Sequence, residues 1–342
     1  MPTVRLALLG FGSVGQALAR LLLRKRDELR QRYNLDFVVT GIATGRHGAA
    51  IAPDGLDLEE ALRLAEAGER FDALSAVAPP ANGIAFVQQV PAEVLFENTP
   101  VNYETGEPAV THLRLALERG MHAITANKGP VVHAYSELTA LAQQVGRRFF
   151  FESAVMDGAP IFSLFRETLP AAQLRAFRGI LNSTTNLILT RMEEQGETLD
   201  QAVAYAQSIG IAETDPSGDV DGWDAAVKVA ALVTVLMGVP LKPQQVEREG
   251  IWGITTAMVA EAKAQGRRWK LVCSARREGD GVVARVRPEL VGPESPLFGV
   301  RGTSSIVTFQ TDVLGDLSIV EEDPGPHTTA YGLLADFLNA VR

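Results

Sequence analysis

One cysteine, Cys273, stands in a chain of 342 residues, so no internal disulfide can form. A lone thiol fits a reducing compartment such as the cytoplasm. Positive charge is also short. Lys and Arg number 32 against 41 Asp and Glu, for a net charge of −9. That balance argues against nucleic acid or an anionic membrane surface as the main partner. The longest apolar run, near 229–241, is too short and interrupted to span a bilayer. The N-terminus lacks a charged segment followed by a long apolar core, so no signal peptide is expected. Without secretion, the sequon Asn182-Ser183-Thr184 carries no meaning. Internal repeats and low-complexity stretches are missing too. What remains is an ordinary composition, 46% hydrophobic and 21% charged, in a length that fits two domains.

The chain opens with a strand, Val4 to Leu9, that runs into GFGSVG with Gly10, Gly12 and Gly15. A helix follows, with Val14, Ala17, Leu18, Leu21 and Leu22 on its apolar stripe. Strand, glycine-rich turn and helix together form the context a dinucleotide site requires. Gly10 serves the tight turn, Gly12 lets backbone approach a pyrophosphate, and Gly15 lets helix pack on strand. The helix N-terminus offers unpaired N–H groups to the phosphates. At the end of the second strand, Phe37 to Ala43, an acidic residue for a ribose 2′-hydroxyl is missing. Arg46 and His47 stand there instead. Arg46 would suit a 2′-phosphate, which favours NADP; a solvated loop arginine is the alternative.

Farther along, Val94 to Phe96 and His122 to Thr125 read as strands, with a helix from Pro108 to Glu118 between them. Thr99 and Lys128 then lie just past strand ends, where ligands bind in such sheets. Lys128 is equally readable as a turn residue. The alternation argues an α/β fold with a doubly wound parallel Rossmann-type sheet. Near residue 150 the character changes, and a second α+β domain is expected over 151–325. Its adjacent antiparallel strands are read at 271–273, 282–286, 306–309 and 316–320. The final helix, 326–342, would return to the nucleotide domain, 1–150.

The chemistry is expected in Glu213 to Lys228, ETDPSGDVDGWDAAVK. A helix from Trp223 to Met237 is apolar all round, hence buried. Asp224 and Lys228 lie four apart on one of its faces. Buried charges persist only when paired or used. The alternative is a capping box built on Asp221 and Asp224, with Lys228 merely neutralising Asp224. The EF-hand spacing of a calcium loop is not met. Upstream, Ser183, Thr184, Thr185 and Asn186 interrupt an apolar run. They could hold a carboxylate at a helix start, or form a plain N-cap.

GFGSVG at 10–15, TANKGP at 125–130, ILNSTTN at 180–186 and AETDPSGDVDGWDAAVK at 212–228 together give the chain a resemblance. It resembles the homoserine dehydrogenases, in their short, monofunctional form without a regulatory ACT domain. The match spans nearly the whole chain. The resemblance implies NAD(P)-dependent interconversion of L-homoserine and L-aspartate 4-semialdehyde, in threonine, methionine and isoleucine biosynthesis, by a cytoplasmic homodimer joined through the second domain's sheet. It further implies that Lys228 is the acid/base with Asp224 beside it, and that Lys128 serves cofactor and active site. Glu213, Asp219, Ser183 and Thr184 would bind substrate. Gly10, Phe11, Gly12, Ser13, Val14, Gly15, Arg46, Thr99, Lys128 and Gly325 would bind NADP, with NAD as the alternative. A sodium site made largely of backbone oxygens would involve Glu152, Val155, Asp157 and Ala159. Ile211 departs from a common Tyr and Ser183 from a common Gly. Threonine feedback of the usual kind is not expected.

The residues agree with that chemistry. A hydride leaving or joining the alcohol carbon must be matched by a proton at its oxygen, which a lysine can exchange. Carboxylates suit the substrate ammonium, and N–H or hydroxyl donors suit its carboxylate. Two other readings stay open: an aspartate-semialdehyde dehydrogenase, which needs a cysteine nucleophile, and a non-catalytic NADP-binding regulator on the same fold.

Overall fold

The computed structural model describes all 342 residues. The chain divides into two compact units, Met1–Pro160 with Gly325–Arg342, and Ile161–Pro324. In chain order the first stretch contains β1 (Thr3–Leu9), α1 (Ser13–Tyr33), β2 (Asp36–Thr44), β3 (Gly48–Ile51), α2 (Leu58–Ala67), α3 (Gly83–Gln89), β4 (Val94–Glu97), α4 (Ala109–Glu118), β5 (His122–Thr125), α5 (Lys128–His133), α6 (Tyr135–Gln144) and β6 (Phe149–Phe150). The second unit contains β7 (Leu174–Ile180), α7 (Ser183–Gln195), α8 (Leu199–Ser208), α9 (Ser217–Val220), α10 (Trp223–Leu236), β8 (Glu247–Arg248), α11 (Thr256–Ala264), β9 (Arg268–Glu278), β10 (Gly281–Val291), β11 (Ser305–Thr311) and β12 (Gly315–Glu321). The chain ends with α12 (Pro326–Val341). No helix is long and apolar enough to cross a membrane.

The first unit is built on a sheet of order β3-β2-β1-β4-β5-β6. Its pairings from β2 through β6 are parallel. The parallel Rossmann-type sheet is as expected, with one antiparallel strand, β3, added beside β2 at its edge. Only three residues, Gly45 to His47, join these two strands. A parallel partner needs a crossover of a dozen residues or more. Both faces of the sheet are covered, as parallel strands require. Leu6, Leu8, Phe37 and Phe96 pack with α1 and α12 on one side, and Ala7, Leu9 and Leu95 with Phe86 and Val87 on the other. Phe337 of α12 meets Phe96 edge-on, with ring centroids 6.1 Å apart. Leu333, Leu334 and Phe337 of the last helix join the same core. The units change at Pro160, later than residue 150, because the turns at 152–159 pack beneath α12. Ser153 Oγ donates to Thr329 O at 2.7 Å, and a Cβ on Gly158 would lie 2.3 Å from Thr328 O.

The second unit carries a sheet of order β12-β11-β7-β9-β10-β8. Neighbours are antiparallel apart from the short β8 alongside β10. α10 packs on β9 and β10, while α7 and α11 pack on β9. Ala225 through Val233 are buried except for the half-buried Lys228, so α10 is the interior helix its composition demands.

Candidate active site

Lys228 and Asp224 are brought together as their four-residue spacing requires. Lys228 Nζ lies 3.2 Å from Asp224 Oδ2, with side chains 16% and 10% exposed. The ammonium also donates to Leu181 O at 2.6 Å. An ammonium has three N–H donors. One is taken by Leu181 O, and Asp224 lies within ion-pair distance of the same nitrogen. Asp224 is not a capping residue. The N-cap of α10 is Gly222, with φ of 80° and no side-chain cap, and Asp221 closes the preceding α9. Asp221 Oδ1 instead accepts from Trp252 Nε1 at 2.6 Å. The capping-box reading therefore falls.

The polar turn at the start of α7 joins the same cluster. Its N-cap is Asn182, not Ser or Thr: Asn182 Oδ1 accepts from Thr185 N at 2.8 Å. Asn182 Nδ2 donates to Asp219 Oδ1 at 2.6 Å and to Asp224 Oδ2 at 3.0 Å. One amide thus ties three elements together, α7, α9 and α10. Asn182 is 3% exposed and fully engaged, which also disposes of the sequon. Burial, then the Asp224 carboxylate, raise the Asp219 carboxyl above the usual aspartate range; bonds from Asn182 and Thr184 and the charge of Lys228 oppose the rise. Ser183 Oγ stands 3.5 Å from Ser305 Oγ, and Thr184 Oγ1 donates to Ile211 O at 3.4 Å. The N–H groups of Ser183 and Thr184 have no intrahelical acceptor, by helix geometry. Glu213 differs from its neighbours: it is exposed, and its carbonyl is held by Gln207 at 3.1 Å. Ile211 is exposed as well, 37% of its surface being open.

Sequence reasoning singled out Ser183 and Thr184 and passed over Asn182. Its signal was present: an Asn closing an apolar strand before a hydroxyl run is a strong N-cap. What the sequence cannot show is that the amide's other end meets two carboxylates.

In the first unit, the glycine-rich turn behaves as its spacing demands. Gly10 has φ of 98°, and a Cβ there would sit 2.3 Å from Asn98 O. A Cβ on Gly15 would sit 2.3 Å from Gly10 O, whereas one on Gly12 would meet nothing within 4 Å. Gly12 is also the N-cap of α1, with no side chain to satisfy the first N–H groups. Open space above unsatisfied donors fits a pyrophosphate. Ser13 and Val14 begin α1. The Phe11 ring is buried edge-on against Phe71, so this residue offers a ligand only its backbone. Arg46 is exposed in the β2–β3 turn. Thr99 is held by Glu97: its N–H donates to Glu97 Oε1 at 3.2 Å and its hydroxyl bonds the same atom. Thr125 Oγ1 reaches Glu97 Oε2 at 3.2 Å, and Asn127 Nδ2 donates to Thr99 O at 3.1 Å. Asn127 caps α5, which begins at Lys128. Glu97 is fully buried and was missed; a lone carboxylate ending an apolar strand was the signal. Gly325 caps α12, with its N–H donating to Thr328 Oγ1 at 2.9 Å.

Cys273 lies on β9 with no exposure, and burial pushes its thiol up to about 12. A thioester-forming enzyme needs an accessible thiolate. The semialdehyde dehydrogenase reading is removed on that ground.

Comparison with known proteins bears on the family. The model for the homoserine dehydrogenase family matches residues 160–338, and that for the homoserine dehydrogenase NAD-binding domain matches 10–152. A homoserine dehydrogenase of Methanocaldococcus jannaschii is 37% identical, with 97% of each chain covered. An NAD(+)-dependent homoserine dehydrogenase of Pseudomonas canavaninivorans is 33% identical over 99% of this chain and 96% of its own. A hyperthermophilic archaeal homoserine dehydrogenase solved in complex with NADPH superposes with a TM-score of 0.84 at 29% identity, covering 99% of this chain and 98% of that one. Full-length likeness, both domain matches and the Asn182–Asp219–Asp224–Lys228 cluster lead to one conclusion: the chain belongs to the homoserine dehydrogenase family.

Proposed function

We propose that the protein interconverts L-homoserine and L-aspartate 4-semialdehyde, with Lys228 exchanging the proton at the substrate oxygen. The observation that carries this reading is the Lys228 ammonium, bonded to Leu181 O and within ion-pair distance of Asp224. In the reducing direction the ammonium gives a proton to the carbonyl oxygen as it becomes an alkoxide. In the oxidising direction the neutral amine takes the hydroxyl proton. The nicotinamide cofactor supplies or accepts the hydride. Asp224 balances the charge on Lys228 in its ammonium form. Asp219 receives the substrate ammonium, with Glu213 at the exposed rim. The Ser183 and Thr184 N–H and hydroxyl groups at the start of α7 receive the substrate carboxylate.

For the cofactor, the GFGSVG turn and α1 would hold the pyrophosphate, and Thr99, Lys128 and Gly325 would line its path. Arg46 would meet a 2′-phosphate, which favours NADP over NAD. A sodium ion would rest on carbonyl oxygens of Glu152, Val155, Asp157 and Ala159 and keep this segment ordered. No group of three or more His, Cys, Asp or Glu side chains could hold a metal, so backbone oxygens would have to dominate. Equal activity in sodium and choline chloride would remove the ion from the account.

The direct test is the rise in absorbance at the reduced-nicotinamide band when L-homoserine is added with NADP, repeated with NAD and with Arg46→Ala. Turnover with a preference for NADP that Arg46→Ala abolishes is expected. No turnover of homoserine with either cofactor, by protein that still binds NADPH, would favour the non-catalytic regulator. An unchanged preference would remove Arg46 alone.

A further inference from the structure

Lys270 is among the largest fully buried side chains, 1% exposed, and hydride transfer makes no use of it. Its ammonium donates to Asn186 Oδ1 at 2.9 Å and to Val300 O. Asn186, also 1% exposed, passes the connection on: its Nδ2 donates to Gly302 O at 3.0 Å and Ser304 O at 3.2 Å. One turn along α7, Thr190 Oγ1 donates to Asn186 O at 2.7 Å and accepts from Gly302 N at 3.1 Å. A buried cation, an amide and a hydroxyl thus lock the first half of α7 to the 300–304 loop. That loop leads into Ser305, which faces Ser183. A buried ionic group is weak evidence for stability, since an apolar side chain of similar volume often does as well. A role in holding geometry accounts better for an ammonium at this place.

We propose that Lys270 is a positioning residue for homoserine: through Asn186 and the 300–304 loop, its ammonium sets where Ser183 and Thr184 meet the substrate. The proposal rests on the assignment of the α7 N-terminus to the substrate carboxylate. It makes substrate affinity depend on the charge state of a group remote from the reacting atoms.

The surroundings of Lys270 define that dependence. From α7 come Glu193 and Glu194, from the start of β9 Arg268, and from the loop Arg301. Lys263 of α11 bonds Glu193 O, and Glu289, opposite Lys270 on β10, is taken up by Arg178 and Arg287. Burial draws the Lys270 ammonium down to about 8; Glu193 and Glu194 oppose this, while Arg268 and Arg301 reinforce it. A proton lost near that pH exchanges a charge-assisted bond to Asn186 for a neutral and weaker one. Above it, α7 is held less firmly.

The test is the KM for homoserine and for NADP from pH 6.5 to 9.5 in wild type, Lys270→Met, Glu193→Gln and Arg301→Gln. The wild-type KM for homoserine should rise about threefold or more as pH passes the Lys270 transition, the size of one weakened hydrogen bond. The KM for NADP should not follow. Lys270→Met should show the raised value at every pH with no break. Glu193→Gln removes an opposing charge and should move the break down; Arg301→Gln should move it up. A folded Lys270→Met with the wild-type homoserine KM, or one that keeps the break, overturns the proposal. If Lys270→Met does not fold, Glu193→Gln and Arg301→Gln decide: a break that neither moves overturns it. Thr184→Val separates the proposal from its premise. A raised homoserine KM there with an unchanged one in Lys270→Met refutes the Lys270 proposal alone, whereas unchanged values in both also remove the Thr184 hydroxyl from the substrate site.

Discussion

Asp219 carries the pH dependence expected on the acid side. Burial and Asp224 hold its carboxyl above the ordinary aspartate range, so it keeps its proton to a higher pH than a free aspartate does. Only the ionised form attracts the substrate ammonium. The kcat/KM for homoserine should therefore fall as pH drops through the raised value, and Asp219→Asn should be slow and lack that limb. An Asp219→Asn enzyme with the wild-type acid limb would assign it elsewhere. The same shift has a stability consequence. The native state binds the Asp219 proton more tightly than the unfolded chain does. Ionised Asp219 is thus a stability cost that is absent below the ordinary aspartate pKa and complete above the raised one. The sequence made Asp219 legible as one carboxylate in a rich acidic stretch. The resemblance set Asp219 and Glu213 apart from Asp215, but it could not rank Asp219 above Glu213, because that ranking comes from burial. Asp215 is exposed and bonds only to the turn at Ser217, and Glu213 stays at the rim.

At the scale of elements, Asn182 is the joint. It caps α7 and satisfies a carboxylate on α9 and another on α10. Asn182→Ala loses a helix cap worth about 1 kcal/mol and takes a donor from the Asp219 carboxylate, which adds about 1–3 kcal/mol, while Asp224 keeps its contact with Lys228. Urea denaturation should show a loss of about 2–4 kcal/mol, the sum of these terms. A loss within about 0.5 kcal/mol, the usual size for a surface change, would show the joint to be idle. Periodicity located α10 to within a residue, because an apolar helix with charges four apart has one reading. It located β4 and β5 equally well, because short apolar runs ended by polar turns are clear. It did not find β3, which is only four residues of Gly, Ala and Ile, nor α11, where Thr256–Ala264 has two buried residues and no strong stripe. The β9–β10 hairpin was underestimated. Arg and Glu fill its outer positions, and cross-strand pairing rather than hydrophobicity extends it to eleven residues a strand.

For the whole molecule, one sheet face remains to be accounted for. α10 lies on the Cys273 side of β9, so Ser274 and Arg276 point the other way, as alternate strand residues must. With Ala176, Arg178, Thr308 and Gln310 they line an open concavity of about 340 Å³. It shares no residue with the Lys228 cluster, so it is no rival active site. On the neighbouring hairpin, Val313, Leu314 and Val320 are 65%, 56% and 53% exposed. Apolar side chains left open beside a sheet face suit a second copy of the chain. Light scattering should report twice the 36.7 kDa chain mass. A mass of 36.7 kDa at micromolar concentration would refute the homodimer. The account as a whole turns on Lys228, and its sharpest test is kcat for homoserine oxidation by Lys228→Ala against wild type, with both shown to be folded and to bind NADP. A fall of at least about a hundredfold is expected, the usual contribution of a general acid–base group. Turnover within a few fold of wild type would contradict it.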